Sequence, residues 1–253
     1  MMNQNSAGFM SSIPVVTRNL LIINVLAYFA TVMLKDIVNL NNYLSLHYIT
    51  SSLFMPHQII TYMFMHGGIS HLFFNMFAVF MFGRVLETVW GPKKFFVYYI
   101  ITGIGAAALQ MIVTYFRLQS LEATLPAEII STVYNEGAAI IAQGLNYTNP
   151  LYGDLNGLLN GAMLGASGAV FGILVAFGML FPNAELMLLF PPIPIKAKWF
   201  VIGYGVIELS LGVVDRVGDN VAHFAHLGGL ITGLIILLYW RKKGFTTNGN
   251  IFG

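Results

Sequence analysis

The sequence predicts an all-α membrane protein: a six-transmembrane-helix bundle with a partly embedded first loop, forming one domain over residues 1–253. Two compositional observations lead there. Of the 253 residues, 57% are hydrophobic and only 9% are charged, against about 25% charged in ordinary soluble domains. The mean hydropathy is +0.75. A third observation is that the apolar residues gather into runs close to the roughly 20 residues needed to cross a hydrocarbon core. The formal charge of +2 gives no reason to expect nucleic acid as a partner. Cysteine is absent, which excludes thiol catalysis, disulfides and cysteine-ligated metals. The first 17 residues are polar and mixed and lack the pattern of a cleavable signal peptide.

The spans follow in order. The first is expected at 19–34, in "NLLIINVLAYFATVML". An uncharged stretch from Ile37 to Gly83 holds Pro56 and four histidines, so it is not one helix. Its last part opens a second span at 69–88, and the preceding 41–68 reads as irregular and partly embedded. The third span is expected at 95–116. Residues 118–160 carry Glu122, Glu128, Glu136, Asp154 and "NYTNP", which reads as a long outer loop with room for short helices. A fourth span is expected at 163–181, a rigid connector at "PPIPIKAK", and the last two spans at 199–214 and 221–240. No repeat and no soluble domain is visible.

Lys and Arg set the orientation. With the N-terminus cytoplasmic, the inner segments hold Arg18, Arg84, Lys93, Lys94, Lys196, Lys198, Arg241, Lys242 and Lys243. The outer segments hold only Lys35, Arg117 and Arg216. The second, fourth and sixth spans then descend from the outer face, with both termini cytoplasmic.

Polar residues inside spans are costly and point to function. His71 and Asn75 open the second span, Ser167 lies a few residues into the fourth, and His223 and His226 begin the sixth. At 1.5 Å per residue these side chains share a depth of roughly 5–10 Å below the outer end of each span. A serine hydroxyl becomes a useful nucleophile only when a base takes its proton. A neutral imidazole can do that and then protonate the leaving amine. The tetrahedral oxyanion needs donors fixed in advance. His71 and Asn75 are four residues apart, on one helix face, and both can donate. The Ser167 backbone N–H, near a helix start, is a further donor. Gly168, Gly172, Gly229 and Gly233 would let the fourth and sixth spans approach closely, with Gly229 three residues after His226.

Each residue alone also fits a plainer role. Ser167 could be a packing serine bonded back to its own helix, and His71 with Asn75 an interhelical clamp. His223 and His226 could be metal ligands, but His-x-x-His lacks the acidic partner of a metalloprotease motif. No metal and no cofactor is therefore expected. His47, His57 and His66 read as structural or interfacial, and Glu87 as a structural acceptor bonded to Arg84 or a neighbouring loop. Glu208 lies mid-span in the fifth helix, where a lone carboxylate is expensive; it is protonated, paired, or part of a proton path.

Taken together, these residues resemble the rhomboid intramembrane serine proteases. "GASGAVFG" is similar to that family's Gly-x-Ser-Gly, "AHLGGLITG" to its Ala-His-x-x-Gly-x-x-x-Gly, and "HGGISHLFFN" to its His-x-x-x-Asn. Glu87 matches the glutamate at the inner end of the second span. The resemblance covers about residues 56–240. It implies a Ser–His dyad without an acidic third member: Ser167 as nucleophile, His226 as general base and acid, and His71 and Asn75 as oxyanion stabilisers. His226 rather than His223 heads the family pattern. Gly165, Gly168, Phe171, Gly229 and Gly233 would support the site. Phe171 stands where many relatives have tyrosine, "PHQ" at 56–58 where a Trp-Arg pair is frequent, and 118–160 is longer than in minimal bacterial forms. The implied partners are the lipid bilayer and transmembrane protein substrates, cut near the outer (periplasmic) face of a bacterial cytoplasmic membrane. The fifth span and the loop 215–222 would form a lateral gate, with Trp199 and Phe200 as inner anchors. The rival readings are a catalytically silent escort of membrane proteins and a transporter using Glu208.

Overall fold

The computed structural model describes residues 9–187, 192–214 and 222–244. Helix α1 (Val15–Leu34) leads into a first loop carrying α2 (Leu40–Leu44), α3 (Gln58–Thr61) and a 3-10 turn at Tyr62–Phe64. Helix α4 (Ile69–Ala78) passes through one wide π turn, Val79–Gly83, into α5 (Arg84–Trp90). Helix α6 (Pro92–Glu122) is followed by α7 (Ala127–Ala142), α8 (Pro150–Asn160) and α9 (Ser167–Leu180). Strands β1 (Glu185–Met187) and β2 (Pro194–Lys196) form an antiparallel hairpin pairing Leu186 with Ile195. Helices α10 (Ala197–Val214) and α11 (His223–Lys242) complete the described chain. Val15–Leu34, Ile69–Trp90, Pro92–Glu122 and His223–Lys242 are each long and apolar enough to cross a membrane, and α9 is a shorter apolar helix. The chain is a helical, multi-pass integral membrane protein. Exposed apolar side chains such as Leu26 and Met33 on α1 and Val206 and Val213 on α10 face where lipid would be.

Helix α9 is the axis of the bundle and is buried on every side. Close packing against α6 and α11 depends on glycine. A Cβ at Gly229 would stand 2.7 Å from the Gly168 carbonyl carbon, and one at Gly172 would stand 2.6 Å from Thr102 Cβ. Two buried tyrosines tie the layers together. Tyr98 donates its hydroxyl to Gly172 O at 2.7 Å, and Tyr62 donates to Gly103 O at 2.7 Å. Each hydroxyl thus finds an acceptor in a setting where an unpaired one would be costly.

The end of the bundle away from Ser167 is fastened. Glu87 accepts from Val16 N at 2.8 Å, Thr17 N at 2.7 Å and Thr17 Oγ1 at 2.8 Å. Its carboxylate caps the N-terminus of α1, where unsatisfied N–H groups and the helix dipole favour negative charge. The acceptor role expected for Glu87 is met by α1. Trp90 and Trp240 pack edge to face at 5.4 Å, and the Lys94 ammonium lies 5.0 Å from the Trp240 ring centre.

Three expectations are corrected. The stretch 118–160, expected as a long loop with room for short helices, is mostly helical: α6 continues to Glu122, and α7 and α8 follow with a small core of Leu118, Val133, Leu155 and Leu159. Asn149 caps α8 by accepting from Leu151 N at 3.0 Å, with Pro150 next, a standard helix start. The connector "PPIPIKAK" supplies a strand, β2, and the first residues of α10. The fourth helix starts four residues later than the span expected at 163, at Ser167 itself. The loop proposed as part of a gate falls outside the described residues, except Ala222.

Candidate active site

Ser167 is the first residue of α9, not a few residues inside it. The chain before it is held extended by non-local bonds. Met163 and Leu46 exchange N–H···O bonds of 2.8 Å each way, and Gly165 N donates to Tyr62 O at 2.9 Å. Gly165 has φ +126°, a conformation that L side chains rarely adopt. Its open face is filled by His71, whose Cε1 and Nε2 lie 2.8 Å from where a Cβ would be. Helix geometry leaves the N–H groups of Ser167, Gly168 and Ala169 without acceptors in α9, while Val170 N reaches Ala166 O at 3.0 Å. The serine therefore sits beside a cluster of free donors at the positive end of a helix.

His226 projects from the first turn of α11. Its Nε2 lies 2.8 Å from Ser167 Oγ, so the hydroxyl can donate to the ring. The imidazole stacks on Phe171, with centres 4.5 Å apart and planes 9° apart. Phe171 stacks in turn on Tyr204 at 5.2 Å, and Tyr204 on Phe200 at 5.6 Å. This aromatic column runs from α11 across α9 to α10 and fixes the plane of the histidine ring. Phe171, lacking a hydroxyl, still provides the stacking face.

On the far side of the ring lies Glu208, which is only 6% exposed. Its Oε2 is 2.6 Å from His223 Nδ1 and 2.9 Å from His226 Nδ1. The His223 contact is an aligned hydrogen bond. The His226 contact is short, but the ring N–H is not aimed along it, so Nδ1 has no formed hydrogen bond in this conformation. The three side chains could also be read as metal ligands, since their donor atoms lie within 4.8 Å of one another. A tetrahedral zinc site with bonds of about 2.0–2.1 Å spaces its ligand atoms about 3.3 Å apart. Separations of 2.6 and 2.9 Å are shorter than that and are those of a carboxylate hydrogen-bonded to one ring and in close contact with the other. Glu208 is thus a paired carboxylate, and the pairing explains its tolerated burial without a proton path.

His71 and Asn75 share the face of α4 toward the serine. Both line, with Ser167, Phe171, Tyr204 and His226, a cleft of about 1950 Å³. Asn75 Nδ2 donates back to His71 O at 3.1 Å. His66 packs edge to face on His71 at 5.0 Å. The cleft extends to Arg117, Tyr147 and Asp154, beneath α7 and α8. His47 braces this roof: its Nδ1–H donates to Asn160 O at 2.9 Å, and burial holds its pKa below the ordinary value, which keeps the ring neutral. His57 Nε2 lies 2.8 Å from Tyr43 O. Both belong to the first loop's scaffold.

The residues singled out in the sequence thus lie around one cleft: Ser167, His226, His71 and Asn75 line it, while Gly165, Gly168, Gly229 and Gly233 set the approach of the surrounding backbone. Sequence reasoning missed Tyr204 and the pairing of Glu208 with the histidines. The depth argument that gathered the other residues would have found Glu208. It lies six residues before the end of α10, and His223 opens α11.

A family model described as the rhomboid domain matches residues 54–243, a stretch that holds every residue just described around the cleft except those of the first loop before Phe54. The chain is 30% identical over 195 residues to "Rhomboid protein 1, mitochondrial" of Saccharomyces cerevisiae, covering 77% of this chain and 44% of that protein. It is 29% identical over 191 residues to "RHOMBOID-like protein 6, mitochondrial" of Arabidopsis thaliana, covering 74% and 46%. It is 26% identical over 175 residues to "Rhomboid protease AarA" of Providencia stuartii, covering 69% and 52%. The chain spans about half the length of the curated relatives it matches.

Proposed function

The chain belongs to the rhomboid family, and from that premise we propose that it is an intramembrane serine endopeptidase working through a Ser167–His226 dyad. The observation that carries the reading is the 2.8 Å approach of Ser167 Oγ to His226 Nε2. His226 takes the hydroxyl proton as Oγ attacks the scissile carbonyl. The tetrahedral oxyanion is met by the Ser167 N–H, His71 and Asn75, the last turning from its intrahelical bond to do so. His226 then protonates the leaving amine, and the acyl group stays on Oγ. A water entering the cleft gives its proton to His226, attacks the ester carbonyl and frees Ser167.

The substrate is a transmembrane segment of another protein. Its helix must unwind locally, because a hydrogen-bonded helical backbone hides its carbonyls, so small residues and helix-breakers near the cut are favoured. The excess of Lys and Arg at the end opposite Ser167 supports a cytoplasmic location for that end and for both termini. Cleavage then occurs toward the outer face.

The test is cleavage of a fluorescent single-span substrate by the purified full chain in detergent. Wild type cleaves, and Ser167→Ala and His226→Ala do not. A fluorophosphonate labels wild type but not Ser167→Ala. Cleavage that persists in either variant sinks the dyad, and a wild type that neither cleaves nor labels favours the escort reading.

A further inference from the structure

Glu208 is a buried carboxylate that the dyad reaction leaves unused. Its neighbours define a need that it meets. Stacking on Phe171 fixes the plane of the His226 ring. An aromatic face, however, does not distinguish a ring from its flipped copy or one tautomer from the other. A base for Ser167 requires a bare Nε2 facing Oγ, and therefore a proton on Nδ1. Only a polar acceptor on the Nδ1 side enforces that choice, and Glu208 Oε2 stands there at 2.9 Å.

We infer that Glu208 is a positioning residue: anchored by His223, its carboxylate holds the proton of His226 on Nδ1 and so keeps the Nε2 lone pair on Ser167. This rests on the protease reading and adds a third member to the expected dyad. His223 has a defined part in it. Its Nδ1–H occupies the same carboxylate oxygen at 2.6 Å, which fixes that oxygen in front of His226. As the reaction proceeds, His226 becomes an imidazolium. Its Nδ1–H then carries more positive charge, and a small ring rotation aligns it on the carboxylate. The bond is strongest when the ring is charged, so it favours the transition state over the ground state. Ser167 on α9 lies at the ring's other nitrogen, and His71 on α4 lines the same cleft; neither is an anion. Glu208 is the carboxylate that faces the ring, 2.9 Å from Nδ1.

Two variants separate charge from shape. Glu208→Gln keeps the shape but removes the charge, and its amide can donate as well as accept, so it permits the wrong tautomer. Glu208→Asp keeps the charge with one methylene less. The expected result is a kcat loss of about 10²–10⁴-fold in Glu208→Gln with KM nearly unchanged, and a clearly smaller loss in Glu208→Asp. A Gln variant as active as the Asp variant, or more so, overturns the inference, because a merely structural side chain would tolerate Gln better. Nitrogen NMR of ¹⁵N-histidine-labelled wild type provides a measurement independent of variant folding. The expected His226 signal pair is a protonated Nδ1 and a bare Nε2; the opposite tautomer overturns the inference. Activity abolished by phenanthroline and restored by zinc alone would also overturn it, in favour of a metal at this cluster. If wild type does not cleave at all, the protease reading fails first, and the NMR result still decides the placement of the proton.

Discussion

Replacing Gly229 with alanine tests whether close helix packing aligns the Ser167–His226 pair. The added Cβ would lie 2.7 Å from the Gly168 carbonyl carbon, and closer still to its oxygen. Ordinary carbon–carbon contact is about 3.5–4.0 Å, so α9 and α11 must part by about 1 Å. The opening falls on the reacting pair, because Gly168 follows Ser167 and Gly229 lies one turn after His226. The 2.8 Å contact between Ser167 and His226 would lengthen to about 3.8 Å, beyond the useful hydrogen-bond range. A misplacement of about 1 Å typically costs about 10²-fold in rate, so kcat of Gly229→Ala should fall by about that factor with KM little changed. Fluorophosphonate labelling should slow in parallel. Gly203→Ala is the control, since a Cβ there meets nothing within 4 Å. It should leave activity unchanged and stabilise α10 by up to about 1 kcal/mol. A Gly229→Ala enzyme within about threefold of wild type would refute the reasoning, because no misplacement on the scale of 1 Å would then have reached the pair.

Three further outcomes follow from the structure. Glu87→Gln weakens all three bonds that cap α1, and should cost about 2–4 kcal/mol in thermal or denaturant unfolding in detergent while the folded fraction keeps its kcat. Asn160→Ala strands the Ser51 hydroxyl, which donates to Asn160, and the Asn156 side-chain oxygen, which accepts from it; a loss of about 2–3 kcal/mol locally should appear as faster proteolysis in the 143–149 turn between α7 and α8. Phe171→Ala removes the ring against His226 and should lower kcat by up to about tenfold, an aromatic pair being worth about 0.5–1.5 kcal/mol. Phe171→Tyr should retain activity, and a Tyr variant as slow as the Ala variant would argue against stacking as the relevant contact.

The sequence revealed the chemistry-bearing residues better than their exact setting. His71, Asn75, Ser167 and His226 stood out because polar groups inside apolar helices are rare and their spacing is local. The start of α9 did not, because "GAMLG" is as apolar as the helix it precedes. What keeps it extended is non-local: the Met163 pairing with Leu46 and the Gly165 bond to Tyr62 O. Glu208 was noticed but not matched, because its partners lie on another helix and only a comparison of depth along α10 and α11 would have paired them. The α7–α8 pair was hidden by its polar residues, although Asn149–Pro150 is a start signal that could have been read.

The contrast between the two ends of α10 has a mechanical consequence. At one end the helix is bolted down: Ala197 N bonds Ala184 O at 2.8 Å, β2 runs directly into it, and Val201 packs tightly on Gly178. The other end carries Glu208 and meets α11 mainly through Gly212, His223 and Phe224. An outward swing of α10 about the bolted end would break the Arg117 bond to Gly212 O and carry the carboxylate away from His226. Opening the bundle sideways and arming the base would then be mutually exclusive, an interlock in which the histidine is set only after the helix has come back.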